Sequence, residues 1–147
     1  MRIYFDHNAT TPIDPEAADR MVQALRETWG NASSIHHFGQ QAKAVLDSAR
    51  ASVASLIGGD PSEVVFTGGG TESDNLAIRG ATDALDASGR THLVTSAIEH
   101  EAVLNTMKAL GRRGWRVTVV PVDASGVVSI ERMRDAITDD KIGRAHV

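Results

Sequence analysis

The sequence contains no cysteine, few aromatic residues, no basic run and no long apolar stretch. The absence of cysteine excludes a disulfide framework and a cysteine nucleophile within these 147 residues, and it fits a reducing compartment such as the cytoplasm. No stretch approaches the length of a membrane span, and no signal-peptide pattern opens the chain. The 15 basic residues are outnumbered by 19 acidic ones, which argues against nucleic acid or an anionic membrane as a partner.

The composition, with 41% hydrophobic and 23% charged residues, is that of a globular protein, and the length suits one compact domain. Apolar periodicity, capping residues and glycines predict helices over residues 15–29, 38–57, 71–88, 100–111 and 130–137. β-Branched and aromatic runs predict strands at residues 3–5, 64–67, 92–95 and 115–122. Strands that alternate with helices from Val64 onward indicate an α/β fold with right-handed crossovers and a mostly parallel sheet.

A glycine-rich turn follows the predicted strand Val64–Thr67 and precedes a helix. The three glycines Gly68–Gly70 remove every Cβ from the bend, and Thr71 begins a run of residues typical of helix starts. Such a turn aims free N–H groups and the positive end of a helix dipole at one point, which suits a phosphate. The pattern is neither a P-loop, since no lysine follows, nor G-x-G-x-x-G. The alternative is a flexible connection that binds nothing.

A second candidate segment, Glu99–His100, also lies just after a predicted strand. Because ligands of parallel sheets bind at the carboxyl ends of the strands, this segment and Gly68–Thr71 are expected to share one pocket. The adjacent His36 and His37 suggest a metal site only weakly, since no third ligand lies at a recognisable spacing, and we predict no metal.

Four stretches of the chain resemble the cysteine desulfurases, a branch of the class V aminotransferase-like enzymes that use pyridoxal 5′-phosphate (PLP). These stretches are Tyr4–Pro12, Gly30–Gly39, Phe66–Ile78 and Glu99–Leu104, and the resemblance runs in order from Ile3 to about Asp140. One departure is Ala32, where the family more often has proline. The resemblance implies a fold-type I PLP-dependent transferase, of which this chain is an incomplete N-terminal part.

The resemblance also implies roles for individual residues. Gly70 and Thr71 match the family's cradle for the PLP phosphate, and His100 matches the histidine that stacks on the pyridine ring and shuttles protons. The alternative for His100 is a helix-start histidine satisfied by backbone groups. The implied reaction removes sulfur from L-cysteine to give alanine and an enzyme persulfide. The implied enzyme is a homodimer that passes sulfur to an acceptor scaffold protein.

Several family residues have no counterpart in this chain. The family's PLP-bearing lysine lies in a Ser-x-His-Lys context, whereas the lysines here are Lys43, Lys108 and Lys141, and there is no cysteine. We therefore expect residues 1–140 to be the N-terminal segment and the first part of the large PLP-binding domain, inactive alone. Alternatives are a selenocysteine lyase, another class V PLP enzyme, or a non-catalytic module that binds a phosphorylated ligand.

The last seven residues, 141–147, are expected to be a non-native tail. Their sequence Lys-Ile-Gly-Arg-Ala-His-Val is encoded by AAG ATC GGA AGA GCA CAC GTC, which matches a common sequencing-adapter sequence. The alternative is a divergent natural tail, and resequencing from an independent template distinguishes the two.

Overall fold

A computed structural model describes residues 2–85, 89 and 91–137. Its helices are α1 (Pro15–Glu27), α2 (His37–Ile57), α3 (Gly70–Leu85), α4 (Glu101–Arg112) and α5 (Ile130–Ala136), and its strands are β1 (His92–Ser96) and β2 (Arg116–Val120). The chain divides into two compact units between Phe66 and Thr67. The predicted tail and the predicted end of α3 at residue 88 lie outside the described residues.

In the first unit, local sequence signals set the helix ends. The Asp14 carboxylate accepts hydrogen bonds from the N–H groups of Glu16 and Ala17, and Pro15 is the first helical residue. Helix α2 ends at Gly58, which has a φ of 70°, in the left-handed region that glycine adopts without a steric penalty. Both ends were predicted from the sequence and are confirmed.

The backbone from the end of α1 to the first turn of α2 is packed so closely that a Cβ added at either of two glycines would clash with backbone atoms. The rings of Trp29 and Phe38 stack with their centroids 5.0 Å apart. A Cβ added to Gly30 would lie 2.2 Å from the Phe38 carbonyl oxygen, and one added to Gly39 would lie 2.4 Å from the Ser34 carbonyl oxygen. Since both clashing atoms are backbone, the segment would have to move to accommodate a side chain.

Replacing Gly39 by alanine in the full-length protein is expected to lower the free energy of unfolding by about 1–3 kcal/mol, because the new methyl group overpacks this segment. Gly80→Ala is the matched control, since a Cβ there meets no atom within 4 Å. That change in the interior of α3 is expected to raise stability by up to about 1 kcal/mol. Urea unfolding of both variants checks the prediction, and equal effects of the two substitutions would contradict it.

The apolar faces predicted for α1 and α2 are present but largely exposed. No residue of α1 is buried, and Leu25 is 76% exposed. Helix α2 buries only Gly39, Ala42 and Ala54. Periodicity therefore identified the apolar faces of these helices without determining whether they are covered.

The second unit contains the sheet and the apolar core. Strands β1 and β2 pair in parallel, with His92 opposite Arg116 and Ser96 opposite Val120, which confirms the predicted parallel arrangement. Helix α4 is the crossover between them. The buried core cluster consists of Ile78, Leu93, Val103, Met107 and Leu110. It therefore packs α3 and α4 onto β1 and fixes the ends of these elements relative to one another.

Two predicted strands are wrong. Ile3–Phe5 and Val64–Thr67 form no ladder with any residue in the described ranges. Val64 does have extended backbone angles (φ −88°, ψ 120°), and its carbonyl accepts a hydrogen bond from Arg50 Nε at 3.1 Å. A β-branched run favours the extended conformation, but a strand also requires a neighbouring strand as its hydrogen-bonding partner.

The remaining elements end close to the predicted residues. Strand β2 ends at Val120, two residues before the predicted end, and Val122 forms an isolated antiparallel bridge with Val128.

None of the helices in the described part of the chain is both long and apolar enough to cross a membrane.

Candidate functional site

The glycine-rich turn is braced from within by the first residues of α3. The Glu72 carboxylate accepts a hydrogen bond from the Gly68 N–H at 2.6 Å. The hydroxyl groups of Thr67 and Ser73 lie 2.6 Å apart, and Thr67 also donates to the Gly69 carbonyl at 3.2 Å. These contacts close the turn on itself, so its shape is set before any ligand arrives.

The open side of the turn is the start of α3. Gly70 is the first helical residue, so its N–H and those of Thr71 and Glu72 have no acceptor within the helix. A Cβ built on Gly69 or Gly70 meets no atom within 4 Å, which leaves open space in front of the backbone. The turn therefore offers backbone donors and the positive end of a helix dipole to a ligand.

His100 is the N-cap of α4. Its Nδ1 accepts a hydrogen bond from the Ala102 N–H at 3.1 Å. Between β1 and this cap, the Ser96 hydroxyl donates to Glu99 Oε1 at 2.8 Å and orders the connecting turn. Because Nδ1 is an acceptor, the neutral ring carries its proton on Nε2. The structure therefore shows His100 as a helix cap, one of the two roles considered for it. Capping uses Nδ1 and leaves Nε2 available for proton transfer.

One cavity of about 360 Å³ is lined by residues from the N-terminal parts of α3 and α4. Its lining residues are Thr71, Asn75, Arg79, His100, Glu101, Ala102, Asn105 and Thr106. The structure thus brings Thr71 and His100, which are 29 positions apart in sequence, to a common cavity, while Gly70 lies at the start of the helix beside it.

The sequence reasoning missed the polar residues that complete the lining. Thr71, Asn75 and Arg79 follow one another at four-residue intervals along α3, and Ala102 and Thr106 do the same along α4. Residues four apart share one face of a helix, so this spacing was a signal that could have identified them.

The residues present match the PLP groups that the resemblance assigns to them. The N–H groups of the first turn and the Thr71 hydroxyl are donors for a phosphate, and the open space at Gly69 and Gly70 admits it. The His100 imidazole supplies a flat ring on the same cavity. No lysine is among the lining residues, so these residues would hold PLP only by non-covalent contacts.

Three carboxylates outside the cavity, all among the described residues, have a lowered pKa because they accept hydrogen bonds from neighbouring residues in the sequence. Hydrogen bonds from the Ser62 side chain and N–H lower the pKa of Asp60, and the Val127 and Ser125 N–H groups lower that of Asp123. The Glu131 N–H and the Ser129 hydroxyl lower the pKa of Glu131. None of these carboxylates lines the cavity.

The adjacent histidines do not form part of a metal cluster in the described residues. His36 caps α2, and its Nδ1 accepts a hydrogen bond from the Gly39 N–H at 3.3 Å. Nowhere in residues 2–85, 89 and 91–137 do three or more histidine, aspartate or glutamate side chains come together as they would around a metal ion.

Comparison with known proteins gives consistent matches over nearly the whole chain. The chain is 48% identical over 141 residues to the cysteine desulfurase IscS of Neisseria meningitidis serogroup C, which covers 95% of this chain and 35% of that protein. A solved NifS-like protein superposes with a TM-score of 0.88 at 40% identity, over 96% of this chain and 38% of that one. The structure of SspA in complex with cysteine superposes with a TM-score of 0.83 at 36% identity, over 94% and 40% of the two chains.

The chain therefore spans little more than a third of the length of these relatives. Their fold is that of the NifS- and IscS-like fold-type I enzymes, as the sequence predicted. The sequence model of the aminotransferase class-V family matches residues 3–142. This chain belongs to the aminotransferase class-V family.

Proposed function

We propose that this chain is the N-terminal part of a PLP-dependent cysteine desulfurase. The observation that carries the proposal is its 48% identity, over 95% of the chain, to a protein named as a cysteine desulfurase. The cavity adds independent support, because it joins a phosphate-binding turn to an imidazole ring. Residues 1–140 then form the N-terminal segment and the first part of the large PLP-binding domain.

In the proposed reaction, the sulfur of L-cysteine moves to an enzyme thiolate, giving L-alanine and an enzyme persulfide. The C–S bond of the substrate breaks, an S–S bond forms, and a proton replaces sulfur on the substrate carbon, so no external oxidant or reductant is needed. The attacking thiolate comes from outside these 147 residues, which contain no cysteine. One solved relative holds cysteine, which supports this substrate.

In that reaction the residues of this chain would bind and orient PLP. The first-turn N–H groups at Gly70 and Thr71, with the Thr71 hydroxyl, would hold the phosphate of PLP. His100 would supply a flat ring to the pyridine, and its Nε2, which the Nδ1 cap leaves available, would hold or release a proton. When bound, PLP supplies the electron sink for the substrate. Homodimerisation, transfer of sulfur to a scaffold protein for iron–sulfur cluster assembly, and a cytoplasmic location belong to the same proposal.

The full-length protein, loaded with PLP, tests this function. Incubation with L-cysteine and a thiol reductant is expected to release sulfide and alanine in equal amounts, with L-selenocysteine and L-aspartate as parallel substrates. Release from selenocysteine alone would replace the proposal by a selenocysteine lyase. Binding of PLP or inorganic phosphate without turnover of any of the three substrates would favour a binding module and overturn the proposed reaction.

A further inference from the structure

Asn75 joins the phosphate turn to the helix that carries His100. Its amide nitrogen Nδ2 donates to the Thr71 carbonyl at 2.9 Å. Its oxygen Oδ1 accepts from the Thr106 hydroxyl on α4 at 2.8 Å and from Arg79 Nε at 3.2 Å. One side chain therefore contacts the proposed phosphate-binding residue on one side and α4 on the other.

Loss of the hydrogen bond between Asn75 and Thr106 is expected to lower stability. Thr106 is only 3% exposed, so removing its partner leaves a buried hydroxyl without that hydrogen bond. The carboxamide orientation is also fixed, because a reversed amide would place its NH₂ group against the Arg79 Nε–H donor and its oxygen against the Thr71 carbonyl. Asn75 is thus held in one orientation between three partners.

We propose that Asn75 is a positioning residue that sets the distance between the phosphate-binding turn and His100. This proposal rests on the proposed PLP function. Thr106 lies on α4, whose N-cap is His100, and Thr71 lies at the start of α3, so the Asn75–Thr106 bond ties the two ends of the binding site together. PLP carries its phosphate on a short linker from its ring, so the phosphate and the ring must meet both ends at once within a narrow range of distances.

A small shift of one end relative to the other is expected to impair both binding and chemistry. Misplacement of a reacting group by about 1 Å can reduce a rate by on the order of 10²-fold. The core cluster holds α3 and α4 together through apolar contacts, whereas Asn75 adds a hydrogen bond between their second turns beside the cavity. The cross-helix bond therefore adds a directional contact beside the site to the apolar packing of the two helices.

The test uses Asn75→Ala, Thr106→Val and the double variant of the full-length protein. The control is Thr82→Val, because Thr82 is also a buried threonine of this unit, but its hydroxyl donates to the Arg79 carbonyl of its own helix. Each single variant is expected to weaken PLP binding by about 3- to 10-fold, the scale of one hydrogen bond. The double variant is expected to lose no more than the larger single loss, since both changes remove the same bond.

A spectroscopic readout and a conservative variant distinguish a positioning role from a general loss of stability. Visible circular dichroism of bound PLP reports the orientation of the ring, and it is expected to change in Asn75→Ala and Thr106→Val but not in Thr82→Val. Thr106→Ser retains the hydroxyl and is expected to restore both affinity and dichroism.

The outcomes distinguish failure of this proposal from failure of the proposed reaction. Additive losses in the double variant, or equal losses in Thr82→Val, would overturn the positioning role while leaving the desulfurase proposal intact. If the variants showed the expected differences in PLP affinity but the wild-type protein released no sulfide, the proposed reaction would be overturned and the positioning role supported. A wild-type protein that does not bind PLP would overturn both.

Discussion

Replacing His100 by alanine in the full-length enzyme is expected to slow turnover of L-cysteine by on the order of 10²- to 10⁴-fold, the usual contribution of a general acid–base group. The affinity for PLP is expected to fall much less, because stacking of aromatic rings contributes only about 0.5–1.5 kcal/mol. Steady-state kinetics at saturating PLP, together with a PLP titration, measure the two effects separately. Normal turnover of His100→Ala would contradict the proton-transfer role.

Because His100 also caps α4, the alanine variant removes two functions at once. The loss of an N-cap costs about 1 kcal/mol of stability. His100→Asn is the matched control, since asparagine keeps a side-chain acceptor for the Ala102 N–H but lacks the ring. Turnover of His100→Asn is expected to be as low as that of the alanine variant, with most of the stability restored. Recovery of turnover by asparagine would show that the cap alone matters.

Thr71→Ala is expected to lower PLP affinity more than turnover, the opposite of His100→Ala. The change removes a hydroxyl from the phosphate cradle but leaves the Thr71 carbonyl, which Asn75 contacts, and the ring of His100 unchanged. PLP affinity is therefore expected to fall more than turnover at saturating PLP, and Thr71→Ser is expected to retain both. If the Thr71 and His100 variants lost affinity and rate in the same proportion, the division of roles would be wrong.

The 147-residue chain by itself is expected to produce no sulfide or alanine from L-cysteine above a control with PLP alone. It contains no cysteine to accept the sulfur. None of its lysines lies in the Ser-x-His-Lys context of the family, and Lys108 does not line the cavity.

Purified chain and full-length protein are compared in the same assay, with the visible absorption of PLP as a second readout. The full-length protein is the positive control for cofactor loading and for product detection. Sulfide production by the isolated chain would show that the essential chemistry needs neither a cysteine nor a lysine from elsewhere, and would refute this expectation.

Features that depend on a few neighbouring residues were predicted from the sequence. Asp14 and Pro15 start α1, and Gly58 ends α2, because caps act through hydrogen bonds and backbone angles within one turn. The parallel pairing of β1 and β2 was also predicted, since the intervening α4 leaves a right-handed crossover as the favoured connection.

Several features that depend on distant partners were not predicted. The β-branched run Val64–Thr67 was interpreted as a strand, but its ladder requires a neighbour that the local sequence cannot reveal. The apolar face of α1 was visible in the sequence, whereas its exposure depends on which elements pack nearby. Asn75 received no role of its own within the resembling stretch Phe66–Ile78, because its partner Thr106 is 31 positions away.

The sequence by itself therefore determined the family resemblance, the helix caps and the glycine turn, all of which reside in short stretches whose chemistry is local. The sequence also predicted that the segments of Thr71 and His100 share a pocket, and the tertiary structure gave that cavity its other lining residues, since burial of one core cluster brings the starts of α3 and α4 together. The tertiary structure also decided that Nδ1 of His100 faces the backbone and that Asn75 spans the two helices. These relations depend on side-chain orientations in space, which are fixed only when the helices pack.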